Sequence, residues 1–259
     1  MDFIQKNQKQ FGPAAEHYAK CPVQSNDFTL KKMVELAKPQ KNWTILDIAT
    51  GAGHTSLAFA PYVKEVIATD ITKEMLAAGE QSAKEGGISN IKFEYADAMN
   101  LPFEDASFDL VTSRLAAHHF QNVSKFLSEC SRLLSDNGTL AIVDSPLPDD
   151  SAGKYINKIQ KLHDPSHVKC LSRKAWLELL TSTNFELIES AEGRVELDFL
   201  NWTTRVNTSV ENTQTLKKLL LEAPPEAAKI LDTRIDDGYL KFHFQRLILI
   251  ATKRKKDIS

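Results

Sequence analysis

Between residues 44 and 144 two hydrophobic rhythms take turns along the chain. Short apolar runs that suit buried strands fall at Thr44–Ala49, Glu65–Thr69, Ile91–Tyr95, Phe108–Ser113 and Thr139–Asp144. Helical stretches lie between most of them. Lys73–Glu85 is rich in Ala, Glu and Lys and stops at Gly86-Gly87, a C-cap signal. Ser124–Ser135 puts Phe126, Leu127, Cys130, Leu133 and Leu134 on one face and stops at Asn137-Gly138. Repeated strand–helix–strand units predict an α/β fold: a parallel sheet covered on both faces, joined by right-handed crossovers.

After residue 144 the rhythm changes. Residues 146–171 contain three prolines and predict a loop with a short helix over Lys154–Leu162. Ser172 then reads as an N-cap, with Trp176, Leu177 and Leu180 on one helical face. A sixth strand is expected at Phe185–Ser190, helices at Asn207–Ala223 and Pro225–Asp236, and a last strand at Phe242–Thr252. The first forty residues read as helical and outside the sheet.

Composition narrows the class of partner. With 32 basic and 34 acidic side chains the net charge is −2, which gives no electrostatic reason to expect nucleic acid. The basic tail Lys253-Arg254-Lys255-Lys256 reads as a solvated terminus. No signal-peptide core and no apolar run of membrane-spanning length is visible. Cys21, Cys130 and Cys170 lie far apart, so neither a disulfide framework nor a zinc site is expected, and a reducing, cytoplasmic setting is.

The chemistry concentrates at predicted strand ends. Ligands of open parallel sheets bind outside the carboxyl ends of the strands. The turn after strand one, "DIATGAG", carries Asp47, Ala49, Thr50, Gly51 and Gly53, and its glycines let backbone approach a ligand closely. Asp70 ends strand two, 19 residues after Gly51, close to the spacing of an acid that accepts from ribose hydroxyls. Asp97 ends strand three. A dinucleotide would want its pyrophosphate on bare backbone amides, yet the first glycine slot is filled by Ala49.

The turn, the acid at Asp70, "ADA" after strand three, "SFDLVTSRLAAHHF" at strand four and "LLSDNGTLAIVD" into strand five resemble the class I S-adenosylmethionine-dependent methyltransferases. The chain is most similar to the group of ubiquinone and menaquinone C-methyltransferases, in which an "ATG-x-G" turn is usual. The resemblance spans residues 43–145 firmly and 172–193 loosely. It implies a Rossmann-like, seven-stranded, mostly parallel sheet whose last strand is antiparallel. A single domain over 1–259 follows: a helical lid (1–42), a cofactor-binding half (43–145) and a substrate-side half (146–259) with a helical insertion near 207–236. The implied cofactor is S-adenosylmethionine, with S-adenosylhomocysteine as product. Its sulfonium suits acids at the rim.

Position by position, the resemblance lets Gly51 and Gly53 bring the backbone close to the methionine part of the cofactor, with Ala49 and Thr50 lining it, and counts Asp47 among the cofactor-binding residues. Asp70 is placed on the ribose, Ile71 and Met75 against the adenine, and Asp97 and the Ala98 amide on the adenine edge. Arg114 and Leu115 meet the amino-acid end, and Tyr18 is the lid aromatic. Methyl transfer is an in-line displacement and needs a base only if the acceptor must lose a proton. His118, His119 and His167 are the candidate catalytic residues, with Asp144 and Tyr18 as further candidate bases; no metal is expected. A small, apolar or aromatic acceptor is the expectation, with the oligomeric state open, a homodimer included. Two competing readings are a nicotinamide-dependent oxidoreductase, which wants glycine at 49, and a non-catalytic partner or assembly factor that keeps the pocket.

Overall fold

The structure is a computed structural model describing residues 3–21 and 27–254. Lys255 and Lys256 of the basic tail lie outside the described residues, as do residues 1–2 and 22–26 of the expected lid segment.

Five parallel strands form the frame: β1 (Thr44–Ile48), β2 (Glu65–Asp70), β3 (Ile91–Tyr95), β4 (Phe108–Arg114) and β5 (Leu134–Asp144). Two long strands complete it, β6 (Phe185–Asp198) and β8 (Tyr239–Lys253). The path runs β3-β2-β1-β4-β5-β8-β6, with β8 antiparallel to both neighbours. These seven match the expected sheet. An eighth strand that the sequence did not suggest, β7 (Arg234–Asp236), pairs with the start of β8.

Alternation along each strand splits the core in two. Leu46, Ile48 and Val111 face one layer with Phe126, Leu127, Cys130 and Trp176, from α6 (Val123–Leu133) and α8 (Arg173–Ser182). Ile45, Val66 and Leu110 face the other, against Met33 and Leu36 of α3 (Phe28–Ala37) and Phe59 of α4 (His54–Phe59). Period-two alternation over fully buried strands is what a sheet sandwiched by helices requires. A third cluster stands apart. It joins Ile156 and Ile159 of α7 (Ser151–His163), Trp202 of α9 (Phe199–Arg205), Leu216 and Leu220 of α10 (Val210–Leu221), and Leu231 of α11 (Pro225–Leu231) to Phe242 and Phe244 of β8.

Several boundaries differ from the sequence expectation. Helix α5 (Lys73–Glu85) and β3 fall where predicted. Helix α6 stops at Leu133 and runs straight into β5. Asn137-Gly138 marks an irregularity in the β4–β5 pairing, between Phe108↔Leu134 and Leu110↔Thr139, not a loop. Strand β6 continues eight residues past Ser190 because β8 pairs with it out to Asp198↔Lys241. Gly193 lies in that extension, where a Cβ would meet the Phe28 ring at 2.4 Å. The expected helix to Asp236 ends at Leu231, since Asp232 turns left-handed (φ 45°) and β7 begins. Ser172 caps α8 as read, accepting from the Ala175 amide at 3.1 Å.

The extension of β6 and β8 matters for the site. The last β5–β8 pair is Asp144↔Leu247. Residues of β8 before Leu247, and of β6 beyond Glu192, therefore rise past the rim at which the parallel strands end. Helices α1 (Phe3–Phe11) and α2 (Ala15–Ala19) lie over this rim. Gln8 Nε2 donates to the Ile71 carbonyl at 2.7 Å and Gln10 Nε2 to the Val206 carbonyl at 3.2 Å. The amino-terminal segment is thereby tied to both halves.

Candidate functional site

The turn after β1 is held from beneath. Asp47 is buried, and its carboxylate accepts from the hydroxyls of Thr50 (2.6 Å), Ser56 (2.7 Å) and Thr112 (2.7 Å). Burial pushes its carboxyl up in pKa while these three hydroxyls pull it down. Ala49 (φ 53°), Gly51 (φ 56°) and Gly53 (φ 84°) are all left-handed. An alanine in that region costs roughly 1–2 kcal/mol, so Ala49 carries strain that the Asp47 network must hold.

Asp70 closes the turn from β2. One carboxylate oxygen accepts from the Gly51 amide at 2.9 Å, the other from the Thr72 amide at 2.8 Å. Burial pushes its pKa up, and the two amides oppose this. A carboxylate has about four acceptor positions, so roughly two stay available on Asp70. Asp97, expected at the end of strand three, lies two residues past β3 in a small turn, its carboxylate accepting from the Met99 amide at 3.0 Å.

Above these strand ends is a cavity with about 1440 Å³ of empty space, its opening included. Ala49, Thr50, Gly51, Asp70, Ile71, Met75, Asp97, Ala98, Arg114, Leu115 and Tyr18 all line it, as do His118, His119 and His167. Three sequence candidates do not: Asp47, Gly53 and Asp144, the last lying behind His118. Asp47 and Gly53 lie under the turn: Asp47 ties its hydroxyls, and Gly53 makes room for Phe93, whose ring a Cβ would meet at 3.1 Å. Their part is to shape the turn.

The cavity has two ends of different chemistry. One end, around Gly51, Asp70 and Asp97, is acidic and partly bare backbone. The residues there fit S-adenosylmethionine: acceptor positions on Asp70, an apolar wall of Ile71 and Met75, and no Cβ on Gly51. The other end is aromatic. The ring centroids of His118 lie 4.3 Å from His119 and 5.4 Å from His167. Trp202 stacks on His163 at 3.8 Å and contacts Phe244 edge-on.

The histidines are not equivalent. His118 Nδ1 lies 2.5 Å from Asp144 Oδ1. His119 Nδ1 meets Ser166 Oγ at 3.1 Å, and its nearest carboxylate, Asp164, is 3.9 Å away. His167 Nε2 meets Asn157 Oδ1 at 2.9 Å. Burial, reinforced by neighbouring imidazoles, holds His119 down at about 4 and His167 at about 2. Burial also holds His163 at about 4. Burial would raise Asp144, but His118 outweighs it and the carboxyl is held below its ordinary value. Of the other candidate bases, Tyr18 is pushed up to about 12 by burial, which keeps its phenol protonated at neutral pH. Asp144 is already engaged by His118 and by the Ser145 amide at 2.8 Å. Among the described residues no group of three or more His, Cys, Asp or Glu side chains is disposed to hold a metal ion.

The sequence reading missed part of the wall. Arg205, Arg246, Gln160, Ser145, Phe244 and residues of α1 also line the cavity. Arg246 is buried, donating to Ser145 Oγ at 2.8 Å and facing Asp27 at 3.4 Å. A lone arginine inside the apolar run from Phe242 to Ala251 was the available signal. Arg114 sends its guanidinium back to Asp27 (3.9 Å) and Thr55 (3.2 Å), and burial lowers its pKa to about 10. Leu115 is left-handed (φ 55°), its amide bound to the Val143 carbonyl at 2.7 Å.

Residues 46–142 match the family model described as "Methyltransferase domain". The chain is 34% identical over 222 residues to the uncharacterized methyltransferase YcgJ of Bacillus subtilis (strain 168), covering 85% of this chain and 88% of that one. The crystal structure of YcgJ superposes with a TM-score of 0.82 at 32% identity, over 88% of this chain and 99% of that chain. A demethylmenaquinone methyltransferase of Porphyromonas gingivalis is 34% identical over 122 residues, 46% of this chain and 50% of its own length. Among the described residues no helix is long and apolar enough to cross a membrane.

Proposed function

The chain belongs to the class I S-adenosylmethionine-dependent methyltransferases, and on that premise we propose that it methylates a small, apolar or aromatic molecule held in the histidine-lined end of the cavity. Family membership removes the basis for the nicotinamide alternative. The observation that carries the proposal is the continuity of one cavity from the Gly51–Asp70 turn to the Trp202–Phe244 wall. It joins a cofactor-like end to an aromatic end under a single roof. The relative from Porphyromonas gingivalis acts, by its name, on demethylmenaquinone, which is in keeping with an aromatic acceptor.

In this reading Asp70 accepts from the ribose hydroxyls, and Asp97 with the Ala98 amide takes the adenine edge. Ile71 and Met75 pack on the adenine. The backbone of Ala49, Thr50 and Gly51, with that of Arg114 and Leu115, surrounds the amino-acid end. When bound, S-adenosylmethionine supplies a methyl carbon already activated by positively charged sulfur. What the chain must add is alignment and exclusion of water. Helices α1 and α2 are placed to exclude water. Phe11 packs edge-on against both Tyr18 (5.7 Å) and His119 (5.1 Å), and His54 Nε2 holds the Tyr18 carbonyl at 2.9 Å. Residues 1–259 act as one unit in this reading, the amino-terminal helices serving as its lid.

Calorimetric titration with S-adenosylmethionine, S-adenosylhomocysteine and NAD is the first test; only the first two should bind. The second is release of S-adenosylhomocysteine in the presence of phenols, quinols and other small aromatics. Binding without turnover on any of them would favour the partner or assembly reading instead.

A further inference from the structure

We propose that His118, oriented by Asp144, is the general base of the acceptor site, and that the acceptor's nucleophile is therefore a weakly acidic hydroxyl on an unsaturated carbon, a phenol or an enol. The inference rests on the methyltransferase reading and goes beyond it, because it narrows five candidate bases to one and names an acceptor class.

The geometry singles out His118. A carboxylate only accepts, so the 2.5 Å contact requires Nδ1–H on His118, and in the neutral ring the lone pair then sits on Nε2. Residue 118 lines the cavity, and no protein partner for Nε2 is found among the described residues. His119 and His167 have no carboxylate within hydrogen-bond reach. The dyad is also held from outside. The His118 carbonyl accepts from the Val168 amide (2.9 Å) and the Lys169 amide (3.1 Å), and Asp144 is buried at the end of β5. Adjacent strand ends supply both partners, since Arg114 of β4 pairs with Val143 of β5. A base set by one neighbour, which is itself fixed by another group, is the arrangement that activates a nucleophile.

Charged and titratable groups from several elements surround the dyad. Facing the dyad are Asp144 from β5, His119 on the same turn, His167 and Asp164 from the segment after α7, and Arg246 from β8 beside Ser145. His119 and His167 stay neutral at pH 7, each held well below the ordinary histidine value by burial. Of the three rings, His118 is the one with a carboxylate, Asp144, in hydrogen-bond contact.

The acceptor class follows from matching. A tertiary amine or a thioether already offers a lone pair and needs no base. An aliphatic hydroxyl holds its proton too tightly for an imidazole, whereas a phenol or enol is near enough in acidity. The chamber also presents buried donors with no acceptor among the described residues, Gln160 Nε2 and Arg205 Nε, and both residues line it. Buried donors left unpaired are costly, so a ligand oxygen at each is favoured. In the step itself the acceptor O–H bond breaks, its electron pair stays on oxygen, and an N–H bond forms at His118 Nε2. The oxygen takes up the methyl carbon as the carbon–sulfur bond leaves its pair on sulfur, and the imidazolium later releases its proton to solvent.

The test uses the full chain saturated with S-adenosylhomocysteine and 4-nitrophenol as an optical probe of ionisation. At a pH where the free probe is mostly neutral, the bound probe should show about a tenfold larger phenolate fraction, the effect of a neighbouring positive partner. His118→Asn and Asp144→Asn should abolish that rise while S-adenosylhomocysteine binds as before. Nitrogen-15 spectra of the unsubstituted protein give a readout that needs no variant: His118 should carry its proton on Nδ1. A proton on Nε2, an unchanged phenolate fraction in the variants, or no binding of the probe to the loaded chain would each overturn the assignment. A chain that binds no S-adenosylhomocysteine would instead overturn the underlying methyltransferase reading.

Discussion

Replacing Asp70 by alanine separates cofactor binding from mere packing. Its two oxygens already take the Gly51 and Thr72 amides at 2.9 and 2.8 Å, which leaves positions for two ribose hydroxyls. A hydrogen bond to a charged acceptor contributes about 1.5–3 kcal/mol, so losing two costs about 3–6 kcal/mol of binding. That is a fall in S-adenosylhomocysteine affinity of roughly 10² to 10⁴. The same change strands two amides, at about 1–3 kcal/mol each when water cannot reach them, so thermal stability should fall too. Asp70→Asn keeps one acceptor oxygen but turns an amide donor toward either Gly51 or Thr72. Its affinity should lie between those of the wild type and Asp70→Ala. The assay is calorimetric titration well below each variant's unfolding temperature, with melting curves alongside. Asp70→Ala that is folded and binds within about threefold of wild type would refute the ribose assignment, since even one lost charged bond exceeds that factor.

The two glycines of the turn should part company. Gly51→Ala meets no atom within 4 Å but sits at φ 56° on the cavity wall, so it should cost about 1–2 kcal/mol of stability and a larger share of cofactor affinity. Gly53→Ala, at φ 84° and 3.1 Å from the Phe93 ring, should cost more stability and less specific affinity; melting and titration of both check the order. Acid should weaken the fold through its buried histidines. His119 and His163 are held at about 4 and His167 at about 2, against an ordinary 6.5. The unfolded chain takes up protons that the folded chain refuses, so stability is complete above pH 6.5 and drains away as pH falls through that value toward 4. From pH 7 to pH 5 each histidine contributes a loss of about 2 kcal/mol. A melting temperature that stays level from pH 7 to pH 5 would show that these rings are protonated in the folded protein.

Much of the cavity end around Gly51, Asp70 and Asp97 was legible because it is local. Asp47, the Ala49–Gly53 turn, Asp70 and Asp97 each sit at the end of an apolar run whose period is plain in the chain. Right-handed parallel pairing then brings those ends to one rim. The helix Lys73–Glu85 was legible for the same reason, with its periodic face and its glycine stop. The acceptor end was harder. Strand β6 looked finished at Ser190 because Gly193 interrupts the run, although Glu192, Arg194 and Glu196 alternate with Val195 and Leu197 as in a half-exposed strand. Only pairing with β8, about fifty residues later, makes that stretch a strand. Helix α9, which supplies Trp202 and Arg205, was missed, since its seven residues are too few to show a periodic face.

The amino-acid sequence alone determined the layered α/β frame, the acidic rim and the glycine turn, since each depends on residues within a few positions of one another. Tertiary structure decided which histidine has a carboxylate behind it, and where the chamber wall runs. His118 meets Asp144 across 26 residues, and Arg246 meets Ser145 across 101. Hydrophobic periodicity reports which face of an element is buried. It carries no information about which buried polar groups then lie within hydrogen-bond reach, because that is set by the pairing of distant strands.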